Sequence, residues 1–107
     1  MESYYSGMED LSHPGRDQLR IEAVIAALDH PVRLRVVRTL ASAEREMTCT
    51  EILPDMTKSS ASHHWKVLRE NGIVEQRRDG RFLFQRLRRD DLDARFPGII
   101  DAVIAPA

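Results

Sequence analysis

The side chains best suited to chemistry lie between Lys58 and Arg81. Lys58, Ser59, Ser60, Ser62, His63 and Lys66 crowd donors and acceptors into one short stretch. At 100° per residue, Ser59, His63, Lys66 and Glu70 share one helical face, with Ser62 at its edge. Ala61, Trp65 and Leu68 gather within about 60° of each other on the opposite face. Serine hydroxyls donate or accept, lysine addresses guanine O6 and N7, and histidine reads a base edge or touches phosphate. A second cluster, Arg77, Arg78 and Arg81, flanks Asp79-Gly80. Guanidinium forks suit phosphate oxygens. Together the two groups point to non-covalent recognition of double-stranded DNA, with bases read by the first and backbone held by the second. The plain alternative for the arginines is a solvated turn. Trp65 shares the apolar stripe and is read as core rather than as a stacking platform.

Charge supports this reading once it is resolved along the chain. The net charge of −1 and a pI of about 6.4 describe no general polyanion binder. Residues 1–31 carry net −4, residues 32–89 net +6 and residues 90–107 net −3, so the basic character is local.

Other chemistries are poorly served. Cys49 is the single cysteine, so neither an internal disulfide nor a multi-thiolate site is available. Near a helix N-terminus its thiol would have a lowered pKa, which makes Cys49 a candidate redox or electrophile sensor. The alternative is a small buried hydrophobe. A catalytic thiol would need a histidine base and a cleft, yet His63 and His64 sit on a separate helix and no glycine-rich phosphate loop appears. The chain is read as no enzyme, and no cofactor is expected.

These side chains need a frame. The 107 residues amount to one domain. Residues 1–16, with Ser, Gly and His-Pro-Gly, are read as a flexible tail, and residues 17–105 as the domain. A first helix is expected from an Asp17 N-cap to Leu28, apolar on more than one side and so wanting two partners. A second runs from Pro31 to about Ser42, and Ala43–Met47 is a loop. Thr48 caps a short third helix through Leu53, with Glu51 completing a capping box. Thr57 caps a fourth from Lys58 to Asn71, and Gly72 stops it. Two strand-like runs follow, Ile73–Arg78 and Arg81–Arg88, with Asp79-Gly80 as a two-residue turn. The last segment opens on Asp90-Asp91, is interrupted by Pro97-Gly98, and ends in Ile99, Ile100, Val103 and Ile104. That apolar end is expected to pack on the first helix or on a second subunit. The fold class is mainly α with a small β-hairpin: a winged helix-turn-helix. No run is long enough to span a membrane, and MESYYSGMED is no signal peptide, so a cytoplasmic location is expected.

The stretches LDHPVRLRVVRTL and SSASHHWKVLRENGIVEQRRDGR, with the acidic-capped C-terminal segment, resemble the ArsR/SmtB family of bacterial transcriptional regulators. The resemblance covers residues 18–105. It implies a homodimer built on the first and last helices, and a repressor that binds a near-palindromic operator and releases it on a signal. Many members sense metals, but this chain departs from both known site types. Thr48 and Thr50 stand where paired cysteines would be, with Cys49 between them. The last segment offers Asp90, Asp91, Asp93 and Asp101 but no histidine. No metal site is therefore expected. A winged-helix module that binds protein remains an alternative, although such modules tend to lose the basic residues that Lys58, Lys66, Arg77, Arg78 and Arg81 retain here.

Overall fold

Three of the six described α-helices begin at local capping signals. The computed structural model describes residues 11–106. Within them, α1 spans Ile21–Leu28, α2 Pro31–Ala43, α3 Cys49–Ile52, α4 Lys58–Glu70, α5 Arg89–Arg95 and α6 Ile99–Ile104. His30 caps α2, its Nδ1 accepting from the Val32 amide at 3.1 Å, while Pro31 occupies the first turn where no donor is needed. Thr48 and Glu51 form the expected capping box on α3: the Thr48 hydroxyl accepts from the Glu51 amide at 3.2 Å, and the Glu51 carboxylate accepts from the Thr48 amide at 2.8 Å. Thr57 caps α4 by accepting from the Ser60 amide at 3.1 Å.

Three strands form one antiparallel sheet. β1 is Met47–Thr48, β2 Val74–Asp79 and β3 Phe82–Leu87, in the spatial order β1-β3-β2. β2 and β3 make the hairpin, and Met47 and Thr48 pair with Gln85 and Phe84 on its other side. A two-residue strand is too short to show a period, which is why Met47 reads as loop in the sequence. The turn also differs by one residue. Asp79 pairs with Phe82, so Gly80-Arg81 is the two-residue connection. Gly80 takes φ 62° and Arg81 has no positive φ, which is the type II′ arrangement rather than an Asp-Gly type I′ turn.

The first helix is the main departure at the start of the domain. Arg16–Gln18 forms a single 3-10 turn, Leu19 and Arg20 are extended, and the α-helix begins only at Ile21. Tertiary packing overrides the Asp17 cap signal. The extended link lets Leu19 bury its side chain beneath Gly72, and Arg95 donates to the Leu19 carbonyl at 2.7 Å. Part of the expected tail is likewise laid against the domain. His13 Nε2 accepts from the Gln76 amide at 2.9 Å, on the free edge of β2, and Arg88 donates to the Pro14 carbonyl at 2.7 Å. Residues 1–10 of that expected tail lie outside the described residues.

The core lies between α2, α4 and the inner face of the sheet. Val36, Val37 and Leu40 of α2 meet Ala61, Trp65 and Leu68 of α4, with Ile73 and Val74 below them. The C-terminal apolar end packs chiefly on α2: Ile100 is fully buried, and Arg38 donates to the Val103 carbonyl at 2.8 Å. Within the chain it therefore packs on α2 rather than chiefly on α1. Ile21 and Ile25 of α1 stay exposed, at 41% and 54%.

Gly72 reverses the chain from α4 into β2 with φ 74°, and a Cβ there would sit 2.0 Å from the buried Leu19 Cδ2. Gly72→Ala therefore combines left-handed strain with a clash. Chemical denaturation should show a loss of about 2–4 kcal/mol. A loss under about 1 kcal/mol would mean that the turn and Leu19 relax without cost.

Candidate nucleic-acid interface

Two helices and a turn set the geometry of the polar face. Leu53 ends α3, and Thr57 starts α4 four residues later. Asp55 in this turn takes a two-bond ion pair from Arg35 of α2, with oxygens at 3.0 and 2.8 Å. The paired guanidinium holds the Asp55 carboxyl below the usual range. Nothing local in the sequence links positions 35 and 55, and the sequence reading misses this pair.

α4 then buries one stripe and exposes the other. Ala61, Trp65 and Leu68 are buried. Lys58, Ser59, Ser60, Ser62, His63 and Lys66 are all exposed. The first turn of α4 carries no acidic residue, so its positive end is uncompensated and Lys58 adds to it. Such an end attracts phosphate. The Ser60 hydroxyl lies 2.9 Å from the Thr57 hydroxyl and is partly engaged in the cap. His64, one residue from His63, turns inward to half-burial, where Arg33 reaches its Nδ1 at 3.1 Å.

The hairpin brings its arginines to one end but gives each a different setting. Arg81 sits in the turn and is exposed. Arg77 is held by Glu46, lies 3.7 Å from Asp79, and stacks over the Phe84 ring at 4.8 Å. Arg78 is on the opposite, inner face of the strand and is half-buried, reaching the Gly80 carbonyl at 3.4 Å. Alternation along the strand puts neighbours 77 and 78 on opposite faces. Arg69 is mostly buried, donates to Gln76 Oε1 at 3.1 Å and lies 3.9 Å from the Glu70 carboxylate, so an acid rather than phosphate is its charged neighbour.

Cys49 fits the buried-hydrophobe reading rather than the activated thiol. Its Sγ accepts from the fully buried Gln85 amide at 3.2 Å and lies 3.8 Å from the Leu83 carbonyl. Burial pushes the thiol pKa up, and the Gln85 hydrogen bond only partly opposes this. Among the described residues no group of three or more His, Cys, Asp or Glu is arranged to hold a metal ion.

Comparison with known proteins places this arrangement in a family. A helix-turn-helix domain family matches residues 28–77, which run from the end of α1 through the recognition pair into β2. The chain is 33% identical over 102 residues to an uncharacterized HTH-type transcriptional regulator, YceK, of Bacillus subtilis, covering 94% of this chain and 99% of that one. It belongs to the helix-turn-helix transcriptional regulators of the ArsR/SmtB winged-helix type. The structure of the transcriptional repressor BigR from Xylella fastidiosa superimposes with a TM-score of 0.61 at 33% identity, over 78% of this chain and 81% of that one. HlyU from Vibrio cholerae shares the fold at 20% identity, with a TM-score of 0.63 over 76% and 84% of the two chains. In this regulator, then, α3 and α4 are the helix-turn-helix, and β2-β3 is the wing. No helix among the described residues is long and apolar enough to cross a membrane.

The Cys49 environment yields a direct check. Native regulator should alkylate at Cys49 with iodoacetamide near neutral pH at least about tenfold more slowly than the urea-unfolded chain, because a raised pKa and burial both deplete accessible thiolate. Equal rates would restore the activated-thiol reading.

Proposed function

We propose that this regulator is a dimeric repressor whose α4 reads the major groove of a near-palindromic operator while the wing tip holds the flanking backbone. The observation that carries the reading is the division of α4: its apolar stripe is buried, and Lys58, Ser59, Ser62, His63 and Lys66 form a continuous exposed polar face. Ser60 stands beside them at the capped end. Arg81 is the wing residue most open to phosphate, with Arg77 and Arg78 behind it. One protomer offers one such helix, and a two-fold pair sets two of them about 34 Å apart, one turn of DNA. Exposed Ile21 and Ile25 on α1 favour a second copy as the cover for that face. The last helices join α1 in this pairing. Release by a signal is part of the proposal, and a cytoplasmic location follows from action on bacterial DNA.

Anisotropy titration against a labelled duplex from the regulator's own upstream region, with a scrambled duplex beside it, tests the reading. Lys66→Ala and His63→Ala should each weaken specific binding by ~1–3 kcal/mol per site and leave the dimer intact. Arg81→Ala should lower affinity on both duplexes and reduce the salt slope by about one per protomer. Full affinity in both α4 variants, or equal weak binding of wild type to both duplexes, would remove the assignment in favour of a protein-binding module.

The dimer has its own test. Ile25→Glu puts a charge on an already exposed position, so the protomer should fold normally. Sedimentation should show it shifted to monomer, with operator affinity down at least about tenfold because paired half-sites are lost. An unchanged dimer would move the interface off α1.

A further inference from the structure

Three basic side chains lie where α1, α2 and α4 meet. Arg33 of α2 donates through Nε to the Ala27 carbonyl in the last turn of α1. Through its NH1 it also lies 3.1 Å from Nδ1 of His64 on α4. The His64 ring centroid is 4.5 Å from that of His30, the residue that caps α2. His63 lies farther out, at 6.0 Å between ring centroids.

The donors in this cluster dictate its protonation. A guanidinium only donates, so His64 Nδ1 must present a lone pair. A backbone amide also only donates, so His30 Nδ1 must present one to Val32. Both rings are therefore neutral imidazoles carrying their proton on Nε2. Adding a proton to His64 Nδ1 removes the acceptor and sets a cation beside the Arg33 guanidinium. The groups acting on His64 are His30 and Arg33 from the facing elements and His63 from its own helix, and all are basic. Burial first, and these neighbours second, hold the His64 pKa below the usual imidazole range. The neutral contact is thus complete above about pH 6.5 and is lost as pH falls through the folded-state value.

We propose that Arg33, His64 and His30 are positioning residues: a clamp that holds α4 against the start of α2 while the His64 imidazole is neutral and loosens when it is protonated. The clamp acts on the back of the helix whose front carries Lys66 and His63. It rests on the reading of α4 as the helix that enters DNA. Acidification then weakens operator binding by freeing the angle of α4, without any ligand.

Two measurements test the clamp, and only one involves DNA. The first is NMR of the imidazole nitrogens in the full chain. His64 should be the Nε2–H tautomer near neutral pH, and Arg33→Met should raise its pKa toward the ordinary value. An Nδ1–H tautomer, or a titration indifferent to Arg33, overturns the clamp whether or not the protein binds DNA. The second is operator affinity from about pH 8 to about pH 5.5, compared between wild type and His64→Asn. Asparagine Oδ1 occupies the place of Nδ1 and accepts from Arg33 but does not titrate. Both proteins keep His63, so the ratio of their affinities isolates position 64. Wild type should lose at least about fivefold relative to His64→Asn at the acid end, and the two should agree near pH 8. A ratio that stays flat with pH overturns the clamp. Binding by neither protein at any pH instead sinks the DNA reading of α4 and leaves the clamp to the NMR result.

Discussion

The narrow apolar stripe of α4 governs the rest of the molecule. Ala61, Trp65 and Leu68 are the buried positions on this helix. They must meet α2 and the sheet, because a lone helix of this composition has nothing else to stabilise it. Burying them is favourable by about 1.5–3 kcal/mol for each large side chain. Once that face is committed, the helical period leaves Ser59, Ser62, His63 and Lys66 no direction except outward. The exposed polar face of α4 is thus a geometric consequence of forming the core.

Orientation along the helix axis needs more than a stripe. Apolar contacts tolerate sliding and tilting, whereas directed polar bonds do not. At the entry to α4, Arg35 grips Asp55 in the connecting turn with two parallel hydrogen bonds. At its side, Arg33 meets His64. At its exit, Gly72 reverses the chain so tightly that Leu19 fills the space a side chain would occupy. The Arg35–Asp55 pair is exposed, so its worth is angular definition more than free energy. Three separate devices therefore fix the angle of one helix.

The wing shows the same economy in two dimensions. Alternation along β2 and β3 sends Val74, Gln76 and Gln85 inward and Glu75, Arg77 and Arg86 outward. Charge pairing then ties the outer arginines down: Arg77 with Glu46 and Arg86 with Glu75. Arg81, in the turn and off the ladder, escapes this pairing pattern by position alone. Cys49 and Gln85 close the inner side where the sheet meets α3, which makes the lone thiol part of the packing at the base of the wing.

Sequence alone determined the elements that local chemistry decides. The Thr48–Glu51 box, the Thr57 cap, Pro31, Gly72 and the strand alternation are each written within a few residues, and the helical wheel of residues 58–70 already separated buried from exposed side chains. The family's motifs lie in those same segments. Tertiary structure decided whatever depends on residues far apart in the chain. It cut the first helix back to Ile21 so that Leu19 could cover Gly72, added β1 to the hairpin, and moved the turn to Gly80-Arg81. It set Arg69 against Gln76 and Cys49 against Gln85, which decided between the two readings of the thiol. The reason is common to all of these: short-range signals act through one residue's own backbone and its neighbours within a turn, whereas burial and long-range hydrogen bonds exist only after the chain has closed on itself.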